Sequence, residues 1–152
     1  RGNFTYSSAQ GNNIVSGQFN FGPDELAFIK KHYIFLDHNQ QYTASGGITY
    51  TWRSCLFSMD GLYGSGLRSG FGNTDELGEN FQIDLAAEKG WEVPNLGEVH
   101  TRVVLINATD NINELRNGSG IGIFQPGFGQ RRTVYGGITV PLPALGGSRG
   151  NP

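Results

Sequence analysis

Apolar positions fall on alternate residues over several stretches of the chain, and the clearest of these runs from Tyr42 to Trp52. Tyr42, Ala44, Gly46, Ile48, Tyr50 and Trp52 take one side, while Thr43, Ser45, Gly47, Thr49 and Thr51 take the other. A period of two, apolar on one face and hydroxyl-rich on the other, predicts a β-strand with two different environments. After a tight turn at Arg53-Ser54 the alternation resumes, with Phe57, Met59, Gly61 and Tyr63 opposed to Ser58 and Asp60. It recurs as Phe81, Ile83, Leu85 and Ala87 against Gln82, Asp84, Ala86 and Glu88. Thr101, Val103 and Leu105 stand against His100, Arg102, Val104 and Ile106. The last run sets Val134, Gly136, Ile138, Val140 and Leu142 against Thr133, Tyr135, Gly137 and Thr139. Shorter runs near 3–9 and 14–22 bring the expectation to about seven strands.

The connections between these strands alternate in length. Those near 10–13, 53–54 and 92–98 are short, and those near 23–39, 66–78 and 109–130 are long. An up-and-down transmembrane barrel has short turns at one end and long loops at the other, and its tilted strands need about 9–11 residues. One segment departs from the β pattern. Pro23-Asp24-Glu25-Leu26-Ala27-Phe28-Ile29-Lys30 begins with proline and acids and ends on lysine, which predicts a short helix inside the first long loop.

Periodicity fits two environments for the apolar faces: the second sheet of a soluble sandwich, or lipid around a barrel. Two details favour the barrel. Trp52 and Trp91 both fall at strand ends beside short turns, where an aromatic girdle lies. The apolar faces also mix glycine and alanine with aromatics, a poor jigsaw core but an adequate lipid face.

Composition sharpens this only in places. The 24 glycines and a charged fraction of 16%, against a usual value of about 25%, suit strands and turns more than helices. No apolar run is long enough for a transmembrane helix. A net charge of −2 gives no electrostatic basis for binding nucleic acid. The single cysteine, Cys55, excludes an internal disulfide framework and cysteine-based zinc spacing. Asn-x-Ser/Thr triplets at Asn3, Asn107 and Asn117 are of a kind that arises by chance.

Candidate chemistry is sparse. Gly118-Ser119-Gly120-Ile121-Gly122 matches neither a Walker loop nor a dinucleotide fingerprint, and the pattern after it is a strand, so it reads as a flexible loop. Asp37-His38, with His32 nearby, offers a metal or acid–base pair against the plainer reading of loop residues. Arg131-Arg132 fits either an anionic ligand or the rim of a lipid zone. Asp60, Asp84 and Glu88 lie on polar faces, where they would line a wet lumen or, alternatively, serve as paired glycosidase carboxylates. No nucleophile elbow or HExxH is present. Catalytic residues, cofactors and metal ligands are therefore not expected.

Taken in order, several stretches resemble the C-terminal end of a TonB-dependent outer-membrane receptor. They are Ile106-Asn107-Ala108-Thr109-Asp110, then Glu114-Leu115-Arg116-Asn117-Gly118-Ser119-Gly120-Ile121-Gly122, then Pro126-Gly127-Phe128-Gly129-Gln130-Arg131-Arg132, and finally Gly137-Ile138-Thr139-Val140-Pro141-Leu142. Upstream, Leu36-Asp37-His38-Asn39-Gln40, Tyr42-Thr43-Ala44-Ser45-Gly46 and Tyr63-Gly64-Ser65-Gly66-Leu67-Arg68 resemble further phrases of that family. The similarity spans roughly residues 14 to 142. Such receptors usually close on an aromatic residue, whereas here Leu142 is followed by PALGGSRGNP.

The resemblance implies an all-β segment, residues 1–142, supplying the last strands of a barrel of about 22 strands and open on its own, with a flexible tail at 143–152. It implies a place in the outer membrane of a Gram-negative bacterium and TonB-dependent uptake of a scarce, bulky ligand. Such a ligand is siderophore-, cobalamin- or oligosaccharide-like, and any iron arrives chelated by the ligand itself. The implied partners are the lipid bilayer, the remainder of the barrel and its plug, the TonB complex and the barrel-assembly machinery. The long loops would lie outside the cell, with Asp37, His38, Arg68, Phe71, Arg116, Phe128 and Arg131 as candidate ligand contacts. Trp52 and Trp91 would form a periplasmic girdle. The rival expectations are a passive porin-like channel and a secreted β-sandwich that binds carbohydrate.

Overall fold

The computed structural model describes residues 1–14, 22–119 and 125–142. In chain order its elements are β1 (Gly2–Tyr6), β2 (Gln10–Gly11), α1 (Pro23–Lys31), β3 (Ile34–Phe35), β4 (Tyr42–Trp52), β5 (Cys55–Gly64), β6 (Arg68–Ser69), β7 (Asp75–Glu76), β8 (Asn80–Val93), β9 (Gly97–Ile106), β10 (Glu114–Asn117), β11 (Pro126–Phe128) and β12 (Thr133–Thr139). A 3-10 turn, Phe71–Asn73, lies between β6 and β7.

Six strands form one antiparallel sheet in the order β1-β4-β5-β8-β9-β12, open at both edges. The predicted strands at 42–52 and 81–88 and the run from 57 to 63 belong to it, the run at 100–107 joins it up to Ile106, and the last run, predicted to reach Leu142, joins it only over Thr133–Thr139. The Arg53-Ser54 turn also forms, with both residues at positive φ (47° and 62°). That is the geometry whose twist matches a two-residue hairpin.

One expectation is corrected. A short turn near 10–13 does not pair run 3–9 with run 14–22. Instead β1 pairs directly with β4, Tyr6 opposite Tyr42 and Asn3 opposite Ser45, so residues 7–41 form a single long connection. Side chains fix this register: the Tyr6 and Tyr42 rings lie 5.4 Å apart, and Asn3 Oδ1 accepts from Ser45 N–H and Oγ–H. Gln10-Gly11 turns away to pair with Ile34-Phe35. Residues 15–21 of the predicted 14–22 strand, and the tail at 143–152, lie outside the described residues.

Register sorts the side chains into two faces. Across the rows Ile48–Met59–Leu85–Leu105–Val134 and Tyr50–Phe57–Ala87–Val103–Gly136, one face is apolar from β4 to β12. Thr49–Ser58–Ala86–Val104–Tyr135, Gly47–Asp60–Asp84 and Glu88–Arg102 belong to the other face. No second sheet covers the apolar face among the described residues: Ile48 is 65% exposed and Ile138 73%. The buried apolar residues, Ile29, Ile34 and Leu77, all lie in the long connections.

Candidate functional site

All three long connections, 7–41, 65–79 and 107–132, emerge at the same end of the sheet, because the strands they join alternate in direction. The first is organised by α1, which forms as its sequence predicts. Pro23 opens it, Asp24 and Glu25 occupy the first turn, and Lys30 and Lys31 the last, a charge order favoured by the helix dipole. Ile29 is its fully buried residue and packs with Ile34, Ile14 and Phe28.

Hydrogen bonds tie the connections together. Glu25 Oε1 accepts from Gly72 N–H at 3.0 Å, and Asn73 Nδ2 donates to Phe35 O at 3.0 Å. These join the first loop to the second. Gly70 N–H donates to Ser119 Oγ at 2.9 Å, joining the second to the third. Gly72 is required here: its φ is +59°, and a Cβ would sit 3.0 Å from the Phe28 ring, in a conformation that costs an L side chain roughly 1 kcal/mol or more.

Asp37, His38 and Arg116 are brought together. Arg116 Nη2 lies 2.9 Å from His38 Nε2 and 3.6 Å from Asp37 Oδ2. A guanidinium has no acceptor, so His38 Nε2 accepts and the imidazole proton sits on Nδ1, which faces Asp37 Oδ2 at 3.4 Å. Arg68 and Phe71 stand on the second connection. The Phe71 ring is 5.3 Å from that of Phe28. Arg68 is 6% exposed, with Nη1 2.7 Å from Glu76 Oε1 and its guanidinium 3.8 Å above the Phe35 ring. Phe128 is exposed on β11. Arg131 closes the base of the third connection, giving Nε and Nη2 to the two Asp110 oxygens at 2.9 and 2.8 Å.

Asp110 is held down to about 2, from an ordinary 3.8, first by the Arg131 hydrogen bonds and then by the Arg132 N–H, with the charges of both arginines adding. His32 turns back on its own helix, stacked on Phe28 with Nδ1 3.0 Å from Phe28 O. It therefore does not extend the Asp37-His38 pair. Among the described residues, no group of three His, Cys, Asp or Glu is placed to hold a metal ion.

Buried asparagines anchor the loop bases, a role that nothing in their polar sequence surroundings marks. Asn107 is fully buried at φ +49°. Its Nδ2 donates to Asn111 O and Gln130 O, its Oδ1 accepts from Asn111 N–H, and its own N–H donates to Asp84 Oδ1. Asn113 Oδ1 accepts from Phe81 N–H, and Asn39 Oδ1 from Ala9 N–H. Triplet position Asn107 is thus a structural clasp.

On the polar face, Asp60 pairs with Arg1 at 2.7 Å, and Asp84 accepts from Gln82 Nε2 as well as Asn107 N–H. Glu88 lies 3.3 Å from His100, which also meets Glu98 at 3.6 Å. Each of these three carboxylates therefore has a partner of its own.

At the short-turn end, Trp52 and Trp91 project from the apolar face, opposite Cys55 and Val99 respectively. Arg53 lies 5.0 Å over Trp52 and Lys89 Nζ 4.0 Å over Trp91, while Trp91 Nε1 donates to Thr101 Oγ1. The other end carries a second aromatic row that sequence reasoning missed: Phe4, Tyr6, Tyr42, Tyr63 and Phe81 share the same face. It became visible only once β1 was placed beside β4. Comparison with protein-family models, curated proteins and solved structures finds no match to this chain.

Proposed function

We propose that the chain forms the C-terminal wall and outer loops of a TonB-dependent outer-membrane receptor, importing a scarce, bulky ligand captured by those loops. One observation carries the reading. The apolar face of the six-stranded sheet holds a single charged residue among the described ones, Lys89, and that residue lies at the tryptophan row. From Tyr42 to Trp52 the ten steps of β4 measure about 34 Å at roughly 3.4 Å per residue. At a barrel tilt of about 40° this becomes roughly 26 Å, close to the height of the lipid-facing band of outer-membrane barrels. Aromatic rows at both ends and a polar opposite face complete the pattern expected of a barrel wall.

The two open edges, β1 and β12, expose backbone N–H and C=O groups that lipid cannot satisfy, so the remaining strands of the barrel are the partner this reading requires. The long loops then face outward and the polar face lines the lumen around a plug, whose movement under the pull of the TonB complex releases the ligand inward.

The test is to express the tagged full-length gene product in its host, separate the membranes, and photo-crosslink to the TonB protein. The account expects outer-membrane recovery, heat-modifiable electrophoretic mobility and a TonB adduct. An outer-membrane product without the adduct supports the porin-like alternative. A detergent-free soluble product supports the sandwich.

A further inference from the structure

A cavity of about 240 Å³ lies where the first and third long connections meet the loop end of the polar face. Its floor includes two cross-strand pairs of that face, Leu62 opposite Gln82 and Gly64 opposite Asn80. Gln40 lines it from the first connection, and Asn113 and Leu115 from the third. The Gln40 amide lies across Gly64, where a Cβ would come within 2.7 Å of its Oε1, so glycine gives the amide its room.

Three of the amides bring free polar ends to this space. The Gln40 side chain makes no hydrogen bond of its own among the described residues. Gln82 donates from Nε2 to the Asp84 carboxylate at 2.9 and 3.1 Å and keeps Oε1 as an acceptor. Asn113 Oδ1 accepts from Phe81 N–H at 3.1 Å, which leaves Nδ2 as a donor. None of these free ends is sealed from solvent, unlike the enclosed Asn80 Oδ1. Leu62 and Leu115, 45% and 38% exposed, add apolar surface beside the amides. No charged side chain lines the cavity among the described residues.

That combination selects a chemistry. Amides offer donors and acceptors side by side, which match hydroxyl groups that each donate and accept. An incoming anion would lose water here with no cation to meet it, and a purely apolar group would leave the amides unpaired. A sugar ring suits both parts, with hydroxyls for the amides and C–H faces for the leucines. The volume falls below the roughly 300–1,000 Å³ of a whole small-ligand pocket, so it suits a single ring.

We propose that the cavity is a subsite for one neutral pyranose ring of a saccharide, held by Gln40, Gln82 and Asn113 against Leu62 and Leu115. The site itself rests on this geometry. Its assignment to the imported ligand rests on the receptor reading above, and it narrows that ligand to uncharged saccharides.

The experiment uses the full-length gene product, purified in a detergent without a sugar headgroup. It is titrated calorimetrically with maltotriose, cellotriose and mannotriose, and with trigalacturonate as the charged counterpart. Circular dichroism checks the fold of each variant. Saturable binding of at least one neutral trisaccharide is expected, tighter than that of trigalacturonate. Gln40→Leu removes a free amide, and Asn113→Asp keeps the acceptor for Phe81 N–H while removing the Nδ2 donor. Each should weaken binding about three-fold or more, the worth of a net hydrogen bond. Thr49→Val, on the same face but outside the cavity, should leave affinity unchanged. Absence of saturable binding of all three neutral sugars overturns the proposal, as does tighter binding of trigalacturonate. Unchanged affinity in folded Gln40→Leu, or equal weakening in Thr49→Val, overturns it too. TonB crosslinking plays no part in this measurement. Sugar binding without a TonB adduct would sink the receptor reading alone, and an adduct without sugar binding would sink the site alone.

Discussion

Asp110 shows how single residues set the loop bases. At φ +57°, it accepts both donors of the Arg131 fork and the Arg132 N–H, which hold its carboxyl down to about 2. A carboxylate depressed in the folded state and ordinary, near 3.9, in the unfolded state contributes stability that is fully present above about pH 4. That contribution is lost as pH falls through the folded value. The third loop should therefore keep its bracket down to about pH 2. In protein labelled with 13C at aspartate Cγ, the Asp110 resonance should titrate near 2, and in Arg131→Gln it should return toward the ordinary range. A midpoint that Arg131→Gln leaves in place would contradict the assignment. Little of this was legible beforehand. The Arg131-Arg132 pair read as the rim of a lipid zone before an anion site, because spacing in sequence does not reveal that a loop returns Asp110 to it. The asparagines were hidden for a related reason. Asn39, Asn73, Asn107 and Asn113 sit in polar stretches that look solvated, yet each is buried because a loop's own backbone groups need partners.

Among the elements, β4 was the most legible, since its faces differ in chemistry at every step but Gly46-Gly47. Ile48 is paired with Met59 on the apolar face, and Thr49 with Ser58 on the polar one. An arginine toward lipid near the midplane costs about 2–4 kcal/mol in outer-membrane barrels, whereas in a wet lumen it stays hydrated. Ile48→Arg should accordingly reduce the folded, heat-modifiable barrel recovered from outer membranes well below the level of Thr49→Arg; the reverse order would mean the faces are exchanged. The helix α1 was legible from its terminal charges. The pairing of β1 with β4 was not. It joins Tyr6 to Tyr42 across a long connection, and local alternation near 3–9 carries no information on so distant a partner. The β10–β11 hairpin inside the third loop was missed because glycines interrupt its alternation and its register is broken by a bulge near Arg116.

The whole molecule divides its two kinds of packing unusually. The apolar core lies in the interlocked loops around Ile29 and Ile34, while the broad sheet leaves its apolar face uncovered by any described residue. A water-soluble domain of this size would spend that face on a second layer, and exposed apolar area of such extent marks a surface that meets lipid or another chain. The central claim is that this face meets lipid, and it is tested most directly by spin labels. Single cysteines would be placed at positions 44 to 50, with Cys55 replaced by serine, in the full-length gene product reconstituted in bilayers. Collision rates with oxygen, which concentrates in lipid, and with a water-soluble nickel chelate should then alternate with a period of two. The account predicts high oxygen and low nickel access at 44, 46, 48 and 50, and the opposite at 45, 47 and 49. High nickel access at 46 and 48, or low access to both reagents there, would contradict it.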